Sequence, residues 1–170
     1  MSEFVEIKPE DIGNAVSLIG KDWMLVTAGN ISDGFNTMTA SWGTMGVLWN
    51  RPVCVCYIRP QRYTYLFTEA NEYITMCFFD ESKRDALRFC GSHSGKDFDK
   101  IKECSLTPIS VSDNKAVIFG EAKLALVCRK LYISDIKKEG FIDKSLLSNY
   151  PEDDFHREYV CEIAKVLTRK

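Results

Sequence analysis

Excess positive charge is missing from this sequence: 22 lysines and arginines stand against 24 aspartates and glutamates, a formal net charge of −2. A nucleic-acid surface needs clustered cations over a large area, so no nucleic-acid partner is expected. Long apolar runs are missing too. The longest, such as residues 53–58, fall far short of the ~20 residues of a membrane-crossing helix, so no membrane partner is expected. The first eleven residues carry Glu3, Glu6, Glu10 and Asp11 and lack the basic-then-apolar order of a secretion signal, which points to a cytoplasmic protein. Histidine is scarce, with only His93 and His156, and this speaks against a histidine-rich metal centre. Gly-x-Gly-x-x-Gly, the Walker phosphate loop, the Gly-x-Ser-x-Gly elbow and the Cys-x-x-Cys pair are all absent. A Rossmann nicotinamide domain is therefore not expected, and redox chemistry, if any, falls to an organic cofactor.

What is present suits an ordinary soluble globular protein. The chain has 170 residues, 45 % apolar and 27 % charged, and a single domain over 1–170 is expected. Its seven cysteines are an odd number, which fits a reducing compartment better than a disulfide scaffold. Cys54 and Cys56, two apart in an apolar strand, share a face and read as core residues, since same-face neighbours rarely meet disulfide geometry. Cys90, His93 and Cys104 make a weak metal signal, with no matching second pair to close a four-ligand site.

The pattern is mainly β. Residues 23–28 and 35–42 read as a hairpin around the turn formers Asn30 to Gly34. Gly43 and Gly46 open a flexible connection that ends at Asn50-Arg51-Pro52, and residues 53–59 form a central strand. Residues 61–70 suit a short helix and 73–79 a strand. Ser82 and Asp85 suggest a capping box for a helix through Phe89, with a loop over 91–95 and a helical turn or two within 97–103. Further strands are expected over 116–119, 121–132 and 158–167, with a short helix or loop over 141–150. Many strands and few short helices suggest a β-barrel with helical insertions.

Three segments carry possible chemistry. In Asn36-Thr37-Met38-Thr39-Ala40-Ser41-Trp42, hydroxyls alternate with Met38, Ala40 and Trp42 and so line one strand face. The same alternation describes an ordinary half-buried strand. Arg59-Pro60-Gln61-Arg62-Tyr63-Thr64 joins a central strand to a helix start, a setting that suits a phosphate. Thr64 as a plain cap beside solvated arginines is the alternative. Ser92 to Asp97 offers small residues that allow close backbone approach and a cation, Lys96, although a charged surface loop would look alike.

Together and in this order, Asn36 to Trp42, Arg59 to Thr64, Ser94 to Lys100 and His156 to Ile163 resemble the flavin-reductase-like family of FMN-binding split-barrel proteins, which includes flavoredoxin. The likeness spans roughly residues 12–166. It implies a Greek-key split barrel with short helices, usually a homodimer, with FMN near the subunit interface. It further implies that Thr39, Ala40, Ser41 and Trp42 line the flavin and that Asn36 reaches its ring or ribityl region. Arg59, Arg62 and Thr64 would serve the phosphate end, and Ser94, Gly95 and Lys96 would contact the flavin from their loop. His156 would meet flavin or nicotinamide; Cys161 stands where the commoner family pattern has glycine. Lys96 is the candidate cation for negative charge on the reduced ring, and its loss should then lower the flavin potential. The implied activity is electron transfer from NAD(P)H through FMN to an acceptor, with no side-chain acid, base or metal. A carrier with tightly held FMN and a protein electron donor is the alternative.

Overall fold

The computed structural model describes residues 4–170. Met1, Ser2 and Glu3, which the single-domain expectation and the acidic start include, lie outside the described residues. Among the described residues ten strands run in chain order: β1 (Phe4–Ile7), β2 (Met24–Asn30), β3 (Gly34–Ala40), β4 (Gly43–Leu48), β5 (Arg51–Ile58), β6 (Tyr73–Phe78), β7 (Pro108–Val111), β8 (Ala116–Phe119), β9 (Leu124–Asp135) and β10 (Arg157–Arg169). The α-helices are α1 (Ala15–Ser17), which runs into a π turn (Leu18–Asp22), α2 (Thr64–Ala70), α3 (Arg84–Ser92) and α4 (Lys100–Glu103).

The large sheet is antiparallel, in the order β3-β2-β6-β9-β10-β5-β4, with β1 added alongside the far end of β10. β6 returns beside β2, and β10 beside β5, by Greek-key crossings. β3 and β4 lie at opposite edges of this order, yet only Ser41 and Trp42 separate them in sequence. So short a link reaches roughly 10 Å. The sheet must therefore curl until its two edges face each other, with a seam that no ladder closes. Register shifts between Val160 and Cys161, and between Ile163 and Lys165, bend the long β9–β10 pair as such curling requires.

Strand alternation distributes two cores. Met24, Val26 and Ala28 of β2, Ile74, Met76 and Phe78 of β6, and Leu126 and Cys128 of β9 point into the barrel with Cys54, Cys56, Tyr159 and Cys161. The opposite faces, with Leu25, Cys77, Ala125 and Val127, pack outward under α3 and the β7–β8 hairpin through Leu87, Cys90, Leu106 and Phe119. The middle strands read as unbroken apolar runs because both faces are covered.

The expected hairpin, helix and most later strands are present, and the differences have local causes. Residues 43–48, expected as a flexible connection, form β4, paired with β5 through a two-residue turn at Trp49 and Asn50, both at positive φ. Two glycines and a tryptophan in a turn conformation disguised a hairpin. Ser82 does not cap α3; it lies within a 3-10 turn, Glu81–Lys83, and α3 begins at Arg84 without a side-chain cap. Gly91 and Ser92, expected in a loop, are the last turn of α3. β1 and β7 were not anticipated; both are four residues long. Cys54 and Cys56 do share the interior face, and Cys54 Sγ donates to Cys128 Sγ on β9 at 3.1 Å. All seven cysteines are free.

Candidate functional site

The seam between β3 and β4 opens into adjoining cavities. A middle one of about 200 Å³ is lined by Thr39, Ala40, Ser41, Trp42, Tyr57, Arg59, Arg62 and His156. On the far side of Arg62 lies a polar cavity of about the same volume, with Asn36, Thr64, Ser92, Ser94 and Lys100 on its walls. In the other direction Ser41, Trp42 and Tyr57 lead into an apolar cavity of about 630 Å³, walled by Ile19, Met45, Ile136 and Tyr150. One groove thus runs from a cationic polar end, past hydroxyls and aromatics, to an apolar end.

Each wall has a local reason. β3 faces its hydroxyls away from the barrel: Thr37 Oγ1 meets Thr27 Oγ1 at 2.8 Å, and Thr39 Oγ1 donates to the Leu87 carbonyl of α3 at 2.5 Å. Asn36 Nδ2 donates to Thr64 Oγ1 at 2.7 Å, which ties β3 to α2 with both residues buried. Gly95 permits this tie by packing directly behind it. A Cβ there would lie 2.0 Å from Asn36 Oδ1 and 2.9 Å from its Cγ. Gly95 therefore supports the wall without lining it.

The arginines have separate tasks. Arg62 Nη1 donates to the Gly91 carbonyl at 2.9 Å, Nη2 reaches the Cys90 carbonyl at 3.5 Å, and burial lowers its pKa from the ordinary value, Arg59 adding to the effect. It grips the C-terminal end of α3, where carbonyls carry partial negative charge, and among the described residues it has no carboxylate partner. Arg59 is committed elsewhere. It pairs with Asp154, whose carboxyl it holds below the usual range, donates to the Asn149 carbonyl at 2.8 Å and lies over the Tyr150 ring. Gln61 also donates to Asp154. Arg59 thus fastens the long connection 136–156 against the groove. The second and third N–H groups of α2 are taken as well: Tyr65 N donates to Arg62 O and Leu66 N to Tyr63 O. Side chains, more than the end of this two-turn helix, make the polar cavity cationic.

His156 is buried beside Trp42, ring centroids 5.2 Å apart, with Nδ1 2.8 Å from Tyr150 Oη. Burial pushes its pKa down to about 4, and Arg59 pushes in the same direction. At neutral pH the imidazole is uncharged and Nδ1 can accept from Tyr150. Between about pH 6.5, where the unfolded chain's histidine titrates, and pH 4 the unfolded state binds the extra proton. Stability supplied by neutral His156 is therefore present above 6.5 and lost as pH falls toward 4, by up to ~3 kcal/mol. Urea unfolding at both ends of this window should show a smaller pH-dependent loss for His156→Phe than for the native chain; equal losses would refute the assignment.

Of the residues expected from sequence, Thr39, Ala40, Ser41, Trp42, Arg59, Arg62 and His156 share the middle cavity, and Asn36, Thr64 and Ser94 stand with Arg62 around the polar one. Lys96 lines neither: its ammonium sits over the Tyr63 ring, 5.5 Å from the centroid. That places it near the polar end, away from the cavity where the ring-side charge was expected. His93 stacks on Phe89 at 4.0 Å between centroids, and no group of three metal-ligating side chains exists among the described residues. Cys161 faces the barrel interior, so its place in the late motif does not alter the groove. Tyr57, Tyr150, Gln61, Asp154 and Lys100 were not anticipated. Tyr57 carried a signal, because it shares the outward parity of Val53 and Val55 in a run otherwise apolar.

The barrel is split along one seam, with a half-polar, half-apolar groove at the opening. The flavin reductase like domain family matches residues 16–163, and the chain belongs to that family. Its fold is that of flavoredoxin from Desulfovibrio vulgaris (Miyazaki F), at 20 % identity and TM-score 0.68 over 87 % of this chain and 69 % of that one. It is similar also to an FMN-binding domain of a flavin reductase-like enzyme from Shewanella baltica OS155 (12 % identity, TM-score 0.70, 98 % and 77 % covered). A third similar structure is the NADH:FAD oxidoreductase of Streptomyces globisporus C-1027, solved with NAD and FAD fragments (17 % identity, TM-score 0.64, 96 % and 86 % covered). No curated protein matches the sequence. The mainly antiparallel architecture with short helices is thus the FMN-binding split barrel.

Proposed function

We propose that the chain binds FMN across the polar and middle cavities and works as an oxidoreductase that moves electrons from NAD(P)H to an acceptor. One observation carries this reading. Two cations, Arg62 and Lys100, have no carboxylate partner among the described residues and converge on a polar cavity continuous with a ring-lined cleft. A phosphate answers the cations, and a flat ring answers the cleft.

The donor set fits the group. Arg62 uses only part of its five-donor fork on α3, and the hydroxyls of Thr64, Ser92 and Ser94 stand around the same cavity. Thr39, Ala40 and Ser41 flank the middle, where a ribityl chain and ring edge would pass. When bound, FMN supplies the hydride and electron chemistry, and the chain supplies place and environment. Trp42, 45 % exposed at the mouth, shields the cleft from water and braces His156. The neutral imidazole adds no charge beside the ring. The apolar cavity beyond Tyr57 seats a second flat ring such as nicotinamide, so rate comes from holding two rings at reacting distance.

That apolar cavity favours a reductase over a carrier served by a protein donor. Anaerobic spectra of the FMN-loaded protein decide between them: bleaching on addition of NADH or NADPH supports the reductase. A stable yellow protein indifferent to both supports the carrier, and a chain with no flavin affinity ends both readings. Free thiols throughout suit a cytoplasmic setting. Exposed Leu48, Trp49 and Tyr132, with Trp49 and Tyr132 rings 6.3 Å apart, support a homodimer, to be read by sedimentation.

A further inference from the structure

We propose that Cys104 and Cys90 form a peroxide-reactive dithiol, which closes reversibly into a disulfide and ties the end of α4 to the last turns of α3. The inference does not depend on the FMN reading. Cys90 is wholly buried in the core beneath α3, with Leu87, Leu106 and Phe119. Cys104 directly follows α4 and is only half-buried. Its Sγ rests on α3, 3.8 Å from Cys90 Sγ and 3.8 Å from the Ala86 carbonyl oxygen. A disulfide holds its sulfurs at about 2 Å, so the pair must close by about 1.8 Å. Cys90 is fixed in the core, and the movement falls to Cys104. Its neighbours Glu103 and Ser105 are exposed and α4 has only four residues, so little packing resists it.

Proximity alone would favour another pair. Cys54 and Cys128 stand closer, at 3.1 Å, but both are fully buried inside the barrel, as is Cys161 opposite Cys54. Among the described residues only Cys104 is a cysteine that is not fully buried, so an oxidant in water meets it first. The two thiols divide the work. Burial raises both, that of Cys90 to about 12. The hydrogen bond from Cys90 favours a thiolate on Cys104, and Lys100 and Lys83 act in the same sense, against Glu103. Cys104 is thus the nucleophile and Cys90 the resolving thiol, in a reaction that runs slowly at neutral pH and faster in alkali. The Cys104 thiolate attacks one oxygen of hydrogen peroxide: the S–O bond forms, the O–O bond breaks, and the departing hydroxide takes the thiol's proton to become water. Cys90 sulfur then attacks the sulfenic sulfur: the S–S bond forms, the S–O bond breaks, and a second water leaves with the Cys90 proton. Two thiols give up two electrons in all, and one peroxide becomes two waters. A dithiol reductant reverses the closure by exchange. The link staples together two segments that carry Gly91, Ser92 and Lys100 in the wall of the polar cavity.

The test exposes the reduced native chain to excess hydrogen peroxide, blocks the remaining thiols by alkylation and maps the peptides by mass spectrometry. The native chain is expected to lose two of its seven thiols to a Cys90–Cys104 disulfide within one chain, and to regain both with dithiothreitol. Cys104→Ser should keep all its thiols under the same exposure. Cys90→Ser should instead hold a sulfenic acid on Cys104, trapped by dimedone. A native chain with every thiol intact overturns the proposal, as does a Cys54–Cys128 link, or one between two chains, in its place. Thiol loss from Cys104→Ser at the native rate overturns it too. Should Cys90→Ser fail to fold, the native chain and Cys104→Ser, altered at a half-buried position, decide on their own.

Discussion

An Arg62→Ala variant is expected to bind FMN roughly a hundredfold more weakly than the native chain, while riboflavin affinity drops far less. A charge-assisted hydrogen bond to phosphate contributes about 1.5–3 kcal/mol, and a bidentate guanidinium sits at or beyond the upper end. The shared position of Arg62, on both the polar and the middle cavity, adds a second loss. Its removal leaves the Gly91 carbonyl without its 2.9 Å partner and loosens α3 from the turn after β5. Lysine at this position should recover only part of the affinity, because an ammonium cannot span the helix end and a phosphate with one planar fork. Equilibrium fluorescence titration measures the effect. A change of less than about threefold would remove Arg62 from the phosphate end.

The largest loss of stability is expected from Gly29→Ala. Gly29 lies near the end of β2, opposite Phe35, with φ +102°. A Cβ there would stand 2.3 Å from the Gly34 carbonyl oxygen and 2.7 Å from the Phe35 Cα. Both are backbone atoms of the returning strand and cannot swing aside. Left-handed strain adds about 1–2 kcal/mol and overpacking about 1–3, for a total of roughly 2–5 kcal/mol. For a chain of this size that corresponds to a fall in melting temperature on the order of 10 °C. The damage would also reach the groove, because Asn36, next to Phe35, holds Thr64. Thermal unfolding together with FMN titration checks both effects, and an unchanged melting temperature would refute the packing argument.

The sequence shows the strands better than the seams between them. Apolar alternation marks β3 and continuous apolar runs mark β2, β5 and β6, because burial on one face dictates the first and burial on both faces the second. β4 stays hidden because glycine and a positive-φ tryptophan dominate its neighbourhood, and β1 and β7 are too short to carry a period. The groove is legible as three segments whose order resembles a family, yet composition cannot tell which cation in a segment turns inward. Lys96 and Lys100 sit four apart in one motif. Tyr63 takes the first by a cation–π contact, while two carbonyls draw the second into the interior. Likewise Arg59 and Arg62 look equivalent in sequence. Only the fold reveals that Asp154, almost a hundred residues on, already occupies Arg59.

The Ser41–Trp42 link has a consequence for how the molecule keeps its shape. Elsewhere the wall of the barrel is a fabric of ladder bonds; here it is a clasp of two residues with nothing zipped across it. A cofactor lodged in that gap would act as the missing stitch, touching both free hems at once. Occupancy would then tighten the whole garment, by about 2.7 kcal/mol when free cofactor exceeds its dissociation constant a hundredfold. A chain starved of cofactor would come apart first along this line, so its lifetime against proteases would follow the supply of flavin.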